Sequence, residues 1–302
     1  MKKFNAKLLL FGEYGLMYGA KALAIPFSRF SGNLEFFGGE PSEDIKNSQL
    51  EIDRFVSFFD HHELNKKMNF PIRLDEIKKD LSVGLYFNSD IPLQYGVGSS
   101  GALCAAIYDQ YGHYHEDLDA RDKRNILSVL KNDFAGMEAY FHGRSSGFDP
   151  LVSFIGRPVL LNGKVISLQK TDMQNSGFSV WLIDTGIRSS TAPLVNSFVA
   201  KMEDAGFEER FRNEFLSTND LAIQSFLNGN TDELFQQLKL ISKFQSIHFA
   251  EMIPANYRKF VNDALGKNTP VKLLGSGGGG FLLAFVRDGL QLPEKVKSLK
   301  VF

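Results

Sequence analysis

The stretch Pro92-Leu93-Gln94-Tyr95-Gly96-Val97-Gly98-Ser99-Ser100-Gly101 is the most informative part of this 302-residue sequence. A strand-like segment at residues 83–87 precedes it, and small residues typical of a helix start follow at 102–108. Glycines let backbone N–H groups approach a phosphate closely, and the dipole at a helix N-terminus favours anions. Taken alone, the stretch is equally compatible with a phosphate-binding loop and with a plain loop that ends in a serine cap.

The same residues match the pattern Gly-x-Gly-x-x-Gly of dinucleotide-binding proteins. That pattern needs a tight turn directly after a strand and an acid at the end of the next strand. Here a loop with Pro92 intervenes, and the acids about 20 residues further on, Glu116 and Asp117, lie in a polar connection. The spacing therefore disfavours a nicotinamide-dependent dehydrogenase. A Walker A loop is excluded because no Gly-Lys-Ser/Thr follows.

Composition excludes several other classes of protein. There are 34 Lys and Arg against 35 Asp and Glu, so the net charge of −1 gives no electrostatic reason to expect nucleic acid or a membrane surface as a partner. The single cysteine, Cys104, allows neither an internal disulfide nor a zinc site built from thiolates. We expect a cytoplasmic, non-membrane protein, since no apolar run is long enough for a signal peptide or a membrane span.

The hydrophobic pattern predicts mixed helices and strands in the first half of the chain. It predicts a mostly helical second half with strands at its two ends, and a boundary that divides the chain into residues 1–170 and 171–302. Residues 158–168 read as a hairpin with a type I′ turn at Asn162-Gly163. Residues 190–266 read as three or four helices.

Two acids and a second glycine run are further candidates for a site. Glu138 lies near the end of a helix predicted over 118–141 and closed by Gly143, where the dipole disfavours a carboxylate unless a cation is near. Asp149 follows on the next loop. Taken alone, each fits an ordinary role better: a solvated helix face for Glu138, and turn chemistry before Pro150 for Asp149. The run Gly275 to Gly280 indicates either a close backbone approach to a neighbour or ligand, or a flexible hairpin.

Three segments occur in an order that resembles the GHMP kinases, the family of galactokinase, homoserine kinase, mevalonate kinase and phosphomevalonate kinase. They are Ala6 to Tyr14, Pro92 to Ser100 and Lys272 to Gly280. Within that family, a further set of residues resembles the pattern of mevalonate kinases. The set consists of Glu138, His142-Gly143, Ser146-Gly147-Phe148-Asp149, and Asp184-Thr185-Gly186-Ile187 with Ser190-Thr191.

The resemblance implies an α+β, two-domain GHMP kinase fold, with a ribosomal-S5-domain-2-like N-terminal domain and a ferredoxin-like C-terminal domain. It implies ATP-dependent phosphorylation of the primary hydroxyl of mevalonate, with ATP and Mg²⁺ as cofactors and a small molecule as partner. Asp149 would act as general base or orienter and Lys7 would stabilise its charge, while Ser100 and Glu138 would hold Mg²⁺. The phosphates would be bound by Gly96, Val97, Gly98, Ser99, Ser100 and Gly101. The substrate would be near Glu13, Tyr14, Gly277, Gly278, Thr191 and Arg188.

Some residues depart from the family pattern and leave the acceptor open. Tyr14 stands where mevalonate kinases usually have His, and together with Tyr95 it is more similar to phosphomevalonate kinases. A phosphorylated acceptor would need basic residues such as Arg144 and Arg188. Gly101 stands where Ala is usual. Phosphomevalonate and a sugar therefore remain alternative acceptors. A non-catalytic binding protein on the same fold also remains, although it would have little physical reason to keep Lys7, Glu138 and Asp149. A homodimer is plausible for the family.

Overall fold

The computed structural model of the chain describes residues 2–113, 126–143, 145–170 and 177–302. The chain forms two compact units: unit 1 comprises Met1–Lys7, Pro26–Pro92 and Gly98–Arg157, and unit 2 comprises Leu8–Ile25, Leu93–Val97 and Pro158–Phe302. The predicted boundary between residues 170 and 171 lies at the edge of a stretch outside the described residues, and it stays a prediction. Within the described ranges, no helix is both long and apolar enough to cross a membrane.

The first sheet contains five strands in the order β1-β2-β4-β5, with β3 also paired to β2. Strand β2 is long enough to pair with β4 near its start, at Ala22–Ala24, and with β3 at its end, at Gly32–Phe36; both pairings are antiparallel. Strand β1 is buried along nearly its whole length, which explains its continuous apolar run. The strands are β1 (Phe4–Phe11), β2 (Ala22–Phe36), β3 (Leu85–Ser89), β4 (Val159–Asn162) and β5 (Val165–Leu168).

Five α-helices of the described residues belong to unit 1. They are α1 (Glu43–His61), α2 (Leu74–Ser82), α3 (Ser99–Tyr111), α4 (Ile126–His142) and α5 (Phe148–Ile155). Helix α1 begins at a Ser42 cap and buries Ile52, Phe55, Val56 and Phe59, a spacing of three to four residues that lines one helical face. Helix α3 is buried on nearly all sides, which its small residues allow.

The carboxylate of Asp133 connects α4 to α3 and to the segment before α2. Asp133 is buried and accepts hydrogen bonds from the backbone and side chain of Asn69, the backbone of Phe70 and the hydroxyl of Tyr108. Four donors satisfy both oxygens of this buried carboxylate. The helix that carries Glu138 is thereby fixed against α3.

Unit 2 contains an antiparallel four-stranded sheet in the order β7-β8-β6-β9. Its strands are β6 (Phe178–Asp184), β7 (Val271–Leu273), β8 (Phe281–Arg287) and β9 (Ser298–Lys300). Its helices are α6 (Thr191–Lys201), α7 (Ala205–Arg210), α8 (Ser217–Leu227), α9 (Thr231–His248) and α10 (Ala255–Gly266), with a π-helical segment at Phe211–Leu216. Their buried faces share an aromatic cluster that consists of Phe198, Phe207, Phe211, Phe215, Phe244 and Phe249.

Most predicted elements are confirmed, and one local prediction is wrong. The hairpin at 158–168 is present, but the two residues between its paired ends are Gly163 and Lys164, and only Gly163 has positive φ. A type I′ turn needs positive φ at both positions, so it is excluded. Residues 190–266 hold four continuous helices, within the predicted three or four, because α7, the π-helical segment and α8 follow one another without a break in helical backbone. Glu116, Asp117, Arg144 and the start of the helix predicted over 118–141 lie outside the described residues.

Candidate active site

The centre of the candidate site in unit 1 is an ion pair between Lys7 and Asp149. The Lys7 Nζ and Asp149 Oδ2 atoms lie 2.6 Å apart; the lysine side chain is 5% exposed and the aspartate side chain 30%. The ammonium group is therefore enclosed, while the carboxylate keeps one side open. Asp149 lies in the first turn of α5, where the helix dipole favours its negative charge.

Local sequence explains why α5 begins where it does. Gly147 caps the helix with a φ of +70°, and a Cβ atom there would lie 2.0 Å from the carbonyl oxygen of Lys131, so only glycine fits. The hydroxyls of Ser145 and Ser146 accept hydrogen bonds from the backbone N–H groups of Gly147 and Phe148. This serine-glycine turn directs Asp149 towards Lys7.

Glu138, on α4, is a buried carboxylate in the same unit. It accepts hydrogen bonds from the hydroxyls of Ser100, at 3.4 Å, and Ser145. Burial and the nearby charge of Asp149 raise the pKa of Glu138 to about 8, against the opposing effects of both hydroxyls and of Lys7. Within the described residues, both hydrogen-bond partners of this carboxylate are neutral, so its charge lacks a directly bonded cation.

This donor set fits a magnesium ion. In the part of the chain that the structure describes, no group of three or more His, Cys, Asp or Glu could hold a metal. Glu138 offers one hard carboxylate, with Ser100 and Ser145 hydroxyls beside it. Mg²⁺ prefers oxygen ligands and commonly takes only one or two carboxylates, completing its shell with water and substrate phosphates. The arrangement therefore suits a cation shared with a phosphorylated ligand.

The glycine-serine stretch leads into α3 beside Lys7. Gly98 precedes the helix with a φ of +80°, and a Cβ atom there would lie 2.8 Å from Cγ of Lys7. At Gly101, a Cβ atom would lie 3.0 Å from the backbone nitrogen of Pro150 and 3.1 Å from the carbonyl carbon of Asp149. The absence of side chains at both positions lets α3 approach Lys7 and Asp149. This close approach explains why residue 101 is glycine and not the alanine of the family pattern.

Unit 2 contains a fully buried lysine–carboxylate pair, formed by Glu13 and Lys272. Both side chains are 1% exposed, and the Lys272 ammonium also donates to the carbonyl of Leu273 at 2.9 Å. Burial lowers the pKa of Lys272, against the opposing effect of Glu13. The predicted substrate residue Glu13 thus lies in an enclosed ion pair.

Tyr14 follows Glu13 in an unusual turn. The N–H of Gly15 donates to the carbonyl of Glu13 at 2.5 Å, and Tyr14 between them has φ 58° and ψ −36°. This is a γ-turn of the rare, strained kind. The tyrosine ring packs against Phe198 and Phe249, and its hydroxyl donates to the carbonyl of Ser276 at 2.6 Å. Burial and the charges of Glu251 and Glu13 raise the pKa of Tyr14.

The glycine run makes close backbone contacts, as one of its two interpretations predicted. A Cβ atom would lie 2.6 Å from the carbonyl of Met252 at Gly277, 2.4 Å from the hydroxyl of Ser189 at Gly278, and 2.5 Å from Tyr95 at Gly280. Hydrogen bonds to the carbonyls of Met252 and Ile187 hold the N–H groups of Gly278 and Gly280. The run is therefore a packed loop and not a flexible hairpin.

The remaining predicted substrate residues lie at the surface of unit 2. Thr191 is the exposed first residue of α6, and its hydroxyl oxygen lies 3.3 Å from that of Ser276. Arg188 is exposed, and it forms no ion pair with the rest of the described chain.

Unit 1 thus brings together Lys7, Ser100, Glu138 and Asp149. Sequence reasoning missed two partners, Ser145 and Lys272. The signal for Ser145 is the Ser-Ser-Gly turn before α5. Lys272 had a clearer signal, because a lysine inside a buried apolar strand needs a carboxylate partner.

The model of the GHMP kinases N terminal domain matches residues 64–157 of this chain. Mevalonate kinase from Pyrococcus abyssi is 28% identical over 173 residues, which cover 50% of this chain and 48% of that protein. Mevalonate kinase from Archaeoglobus fulgidus is 26% identical over 303 residues and covers 97% of this chain and 92% of its own. The match to the first of these relatives spans only about half the relative's length.

Solved structures extend the likeness over the whole chain. The L. major mevalonate kinase in complex with R-mevalonate has a TM-score of 0.65 at 20% identity, covering 96% of this chain and 88% of its own. Streptococcus pneumoniae phosphomevalonate kinase in complex with phosphomevalonate and AMPPNP has a TM-score of 0.62 at 15% identity. The match covers 95% of this chain and 92% of that one. At these identities the likeness shows the fold.

Proposed function

We propose that the chain, which is similar to the GHMP kinases, transfers the γ-phosphoryl group of ATP to the primary hydroxyl of mevalonate. The predicted α+β, two-domain fold of that family is confirmed. The observation that carries the proposal is the Lys7–Asp149 pair, with its enclosed ammonium and half-open carboxylate, beside the buried Glu138. A binding protein without catalysis has no need for a buried lysine that leaves its carboxylate partner accessible.

In this proposal Asp149 orients the acceptor hydroxyl and takes its proton. The hydroxyl oxygen attacks the γ-phosphorus, the bond from that phosphorus to the β–γ bridging oxygen breaks, and ADP leaves. Lys7 stabilises the charge on Asp149 and on the transferring phosphoryl group, an electrostatic effect that is strong because its ammonium is enclosed.

Glu138 and Ser100, with Ser145 behind them, would hold Mg²⁺. The ion would neutralise charge on the nucleotide phosphates when bound. Backbone N–H groups of the Gly96–Gly101 stretch would bind those phosphates, with the hydroxyls of Ser99 and Ser100 as further donors. A role in acceptor binding for Thr191 and Arg188 stays a prediction of the family resemblance.

Phosphomevalonate is the second candidate acceptor. Two observations favour it: Tyr14 replaces the usual histidine, and Arg188 is an exposed cation without an ion-pair partner in the described ranges. Such a cation suits a second phosphate as well as it suits a carboxylate.

The proposal is tested by coupled ADP release from Mg-ATP with mevalonate, phosphomevalonate and a panel of sugars as separate acceptors. We expect turnover with mevalonate. Turnover with phosphomevalonate alone, or with a sugar alone, would replace the acceptor and keep the chemistry. No turnover with any acceptor would contradict the kinase proposal. A cytoplasmic homodimer is part of the same proposal, and light scattering coupled to size exclusion tests its oligomeric state.

A further inference from the structure

The turn that precedes α5 is attached to α4 at more than one point. The Lys131 ammonium donates to the carbonyl of Ser146 at 2.9 Å. The Ser145 hydroxyl donates to the carboxylate of Glu138. Lys131 and Glu138 are about two helical turns apart, so both lie on the same face of α4. These two bonds, together with the close approach of Gly147 to the carbonyl of Lys131, hold the turn on α4.

The hydrogen bonds of the Ser145 hydroxyl fix where its proton points. A serine hydroxyl has one proton to donate and two lone pairs that accept. The oxygen of Ser145 accepts from the backbone N–H of Gly147 at 3.0 Å, and the proton is donated to Glu138. The hydroxyl therefore acts on Glu138 as a donor, while its oxygen is directed at the backbone of the turn.

The two hydroxyls that contact Glu138 are not equivalent. Ser100 lies 3.4 Å from Oε1, near the outer limit for a hydrogen bond, whereas Ser145 is the closer partner and binds Oε2. A donor fixed on Oε2 restrains the carboxylate and directs Oε1 to the side of Ser100. A glutamate side chain loses rotamer entropy when it is ordered, and Ser145 brings about this ordering before any ligand binds.

We propose that Ser145 is a positioning residue, which orients the Glu138 carboxylate for a divalent cation. This inference rests on the proposed function, because it identifies the cation with the magnesium of that reaction. Carboxylates that bind metals are themselves held by hydrogen bonds from groups outside the coordination shell, and loss of such a group lowers metal affinity by about 10- to 100-fold. Both residues belong to unit 1.

The test measures binding of Mn²⁺, a paramagnetic substitute for Mg²⁺, to the nucleotide-free protein by electron paramagnetic resonance. Glu138→Gln gives the background from other carboxylates. In Ser145→Ala we expect the dissociation constant for Mn²⁺ above that background to rise about tenfold. Ser146→Ala is the matched control in the same turn. Within the described residues its hydroxyl binds the N–H of Phe148 and not Glu138, so this variant should keep the wild-type dissociation constant.

Two variants of the same shape isolate the hydroxyl. Ser145→Thr keeps it and should bind Mn²⁺ within about threefold of wild type, while Ser145→Val lacks it and should bind about tenfold more weakly than Ser145→Thr. Half-maximal turnover should need about tenfold more Mg²⁺ in Ser145→Val than in Ser145→Thr. At saturating Mg²⁺, kcat and the KM for the acceptor should agree within about twofold, because only metal affinity differs. This comparison decides the matter even if Ser145→Ala does not fold.

Equal Mn²⁺ binding in Ser145→Thr and Ser145→Val, or equal losses in Ser145→Ala and Ser146→Ala, would overturn the inference. A wild-type protein that binds no more Mn²⁺ than Glu138→Gln would overturn it together with the proposed magnesium site. A wild-type protein that binds Mn²⁺ at Glu138 but is inactive towards every acceptor would contradict the proposed function alone. The Mn²⁺ comparison would then still decide whether Ser145 orients Glu138.

Discussion

Each unit of this protein contains a lysine–carboxylate pair next to a glycine-rich segment, but the two pairs differ in access to solvent. In unit 1, Lys7 is enclosed and its partner Asp149 is 30% exposed. In unit 2, Glu13 and Lys272 are both 1% exposed. These two pairs therefore combine the same functional groups, in one case with an open side and in the other fully enclosed.

The difference separates a pair that can do chemistry from one that holds structure. A carboxylate must reach the reacting hydroxyl to move a proton, so a catalytic pair needs an open side. A fully buried pair stabilises little in net terms, yet removal of one partner leaves a charge stranded in a low-dielectric environment. Changes to the first pair should therefore lower turnover, and changes to the second should lower stability.

The largest effect is expected from Asp149→Asn, which keeps the shape of the side chain and removes its charge. Turnover should fall about 10³-fold, within the range known for general-base groups, because an asparagine amide cannot take the proton of the acceptor hydroxyl. ATP binding should stay within several-fold. Initial-rate kinetics and nucleotide titration measure the two quantities. Asp109→Asn, in the Lys2–Asp109 pair of the same unit, is the matched control and should keep wild-type turnover. Near-normal turnover in Asp149→Asn would remove Asp149 from the reaction.

Lys272→Met should have the largest effect on stability. It leaves the Glu13 carboxylate buried without its ammonium partner, so the free energy of unfolding should fall by about 3 kcal/mol or more. Denaturant titration of the purified protein measures the loss.

The double variant Glu13→Gln with Lys272→Met checks the cause. Since it also removes the stranded charge, it should recover at least about half of that loss. Equal losses in the single and double variants would mean that packing around the lysine stem matters, and not its charge.

Glu138→Gln should have an intermediate effect on activity. The variant keeps the hydrogen bonds available to Ser100 and Ser145 but loses the charge that suits a cation, so half-maximal activity should need about tenfold more magnesium. Magnesium titration of turnover tests this expectation. Glu76→Gln, an exposed acid in the first turn of α2, is the control. An unchanged magnesium requirement would exclude Glu138 as a ligand.

Lys297→Ala should have the smallest effect. Lys297 pairs with Asp184 at 2.5 Å, but its side chain is 82% exposed, and water and salt screen such a pair. The Tm should change by less than about 2 °C, and 1 M salt should abolish the difference. A larger shift would show that exposure is a poor guide to what a lysine–carboxylate pair contributes.

Sequence patterns predicted those parts of the fold that depend on the chain's own periodicity. The strand-like segment at residues 83–87 overlaps β3, and Gly143 follows the last residue of α4 as predicted, with a φ of +74°. The family resemblance also predicted which residues meet in unit 1, since the Lys7–Asp149 pair and the Ser100–Glu138 contact each join a residue of the first two segments to an acid of the mevalonate kinase pattern.

Features that depend on tertiary contacts were not predictable in the same way. The positive φ of Tyr14 results from contacts with Phe198, Phe249 and Ser276, which lie far away in sequence. The sequence of the π-helical segment at Phe211–Leu216 shows no pattern that distinguishes it from an α-helix. The segment occurs where the aromatic cluster packs. Residue 147 must be glycine because the carbonyl of Lys131 lies too close for a side chain. Lys131 is 16 residues away in sequence, so the residues around Gly147 do not predict this contact.

The close approach at Gly101 also constrains how this chain can diverge. An added methyl group would press on the backbone of Asp149 and Pro150, so Gly101→Ala alone displaces the residue proposed to take the substrate proton. A chain with alanine there must set the start of α5 a few tenths of an ångström further away. The effect of a substitution at residue 101 therefore depends on the position of the backbone at Asp149. Alanine at 101 is neutral only in a chain where that backbone has already shifted.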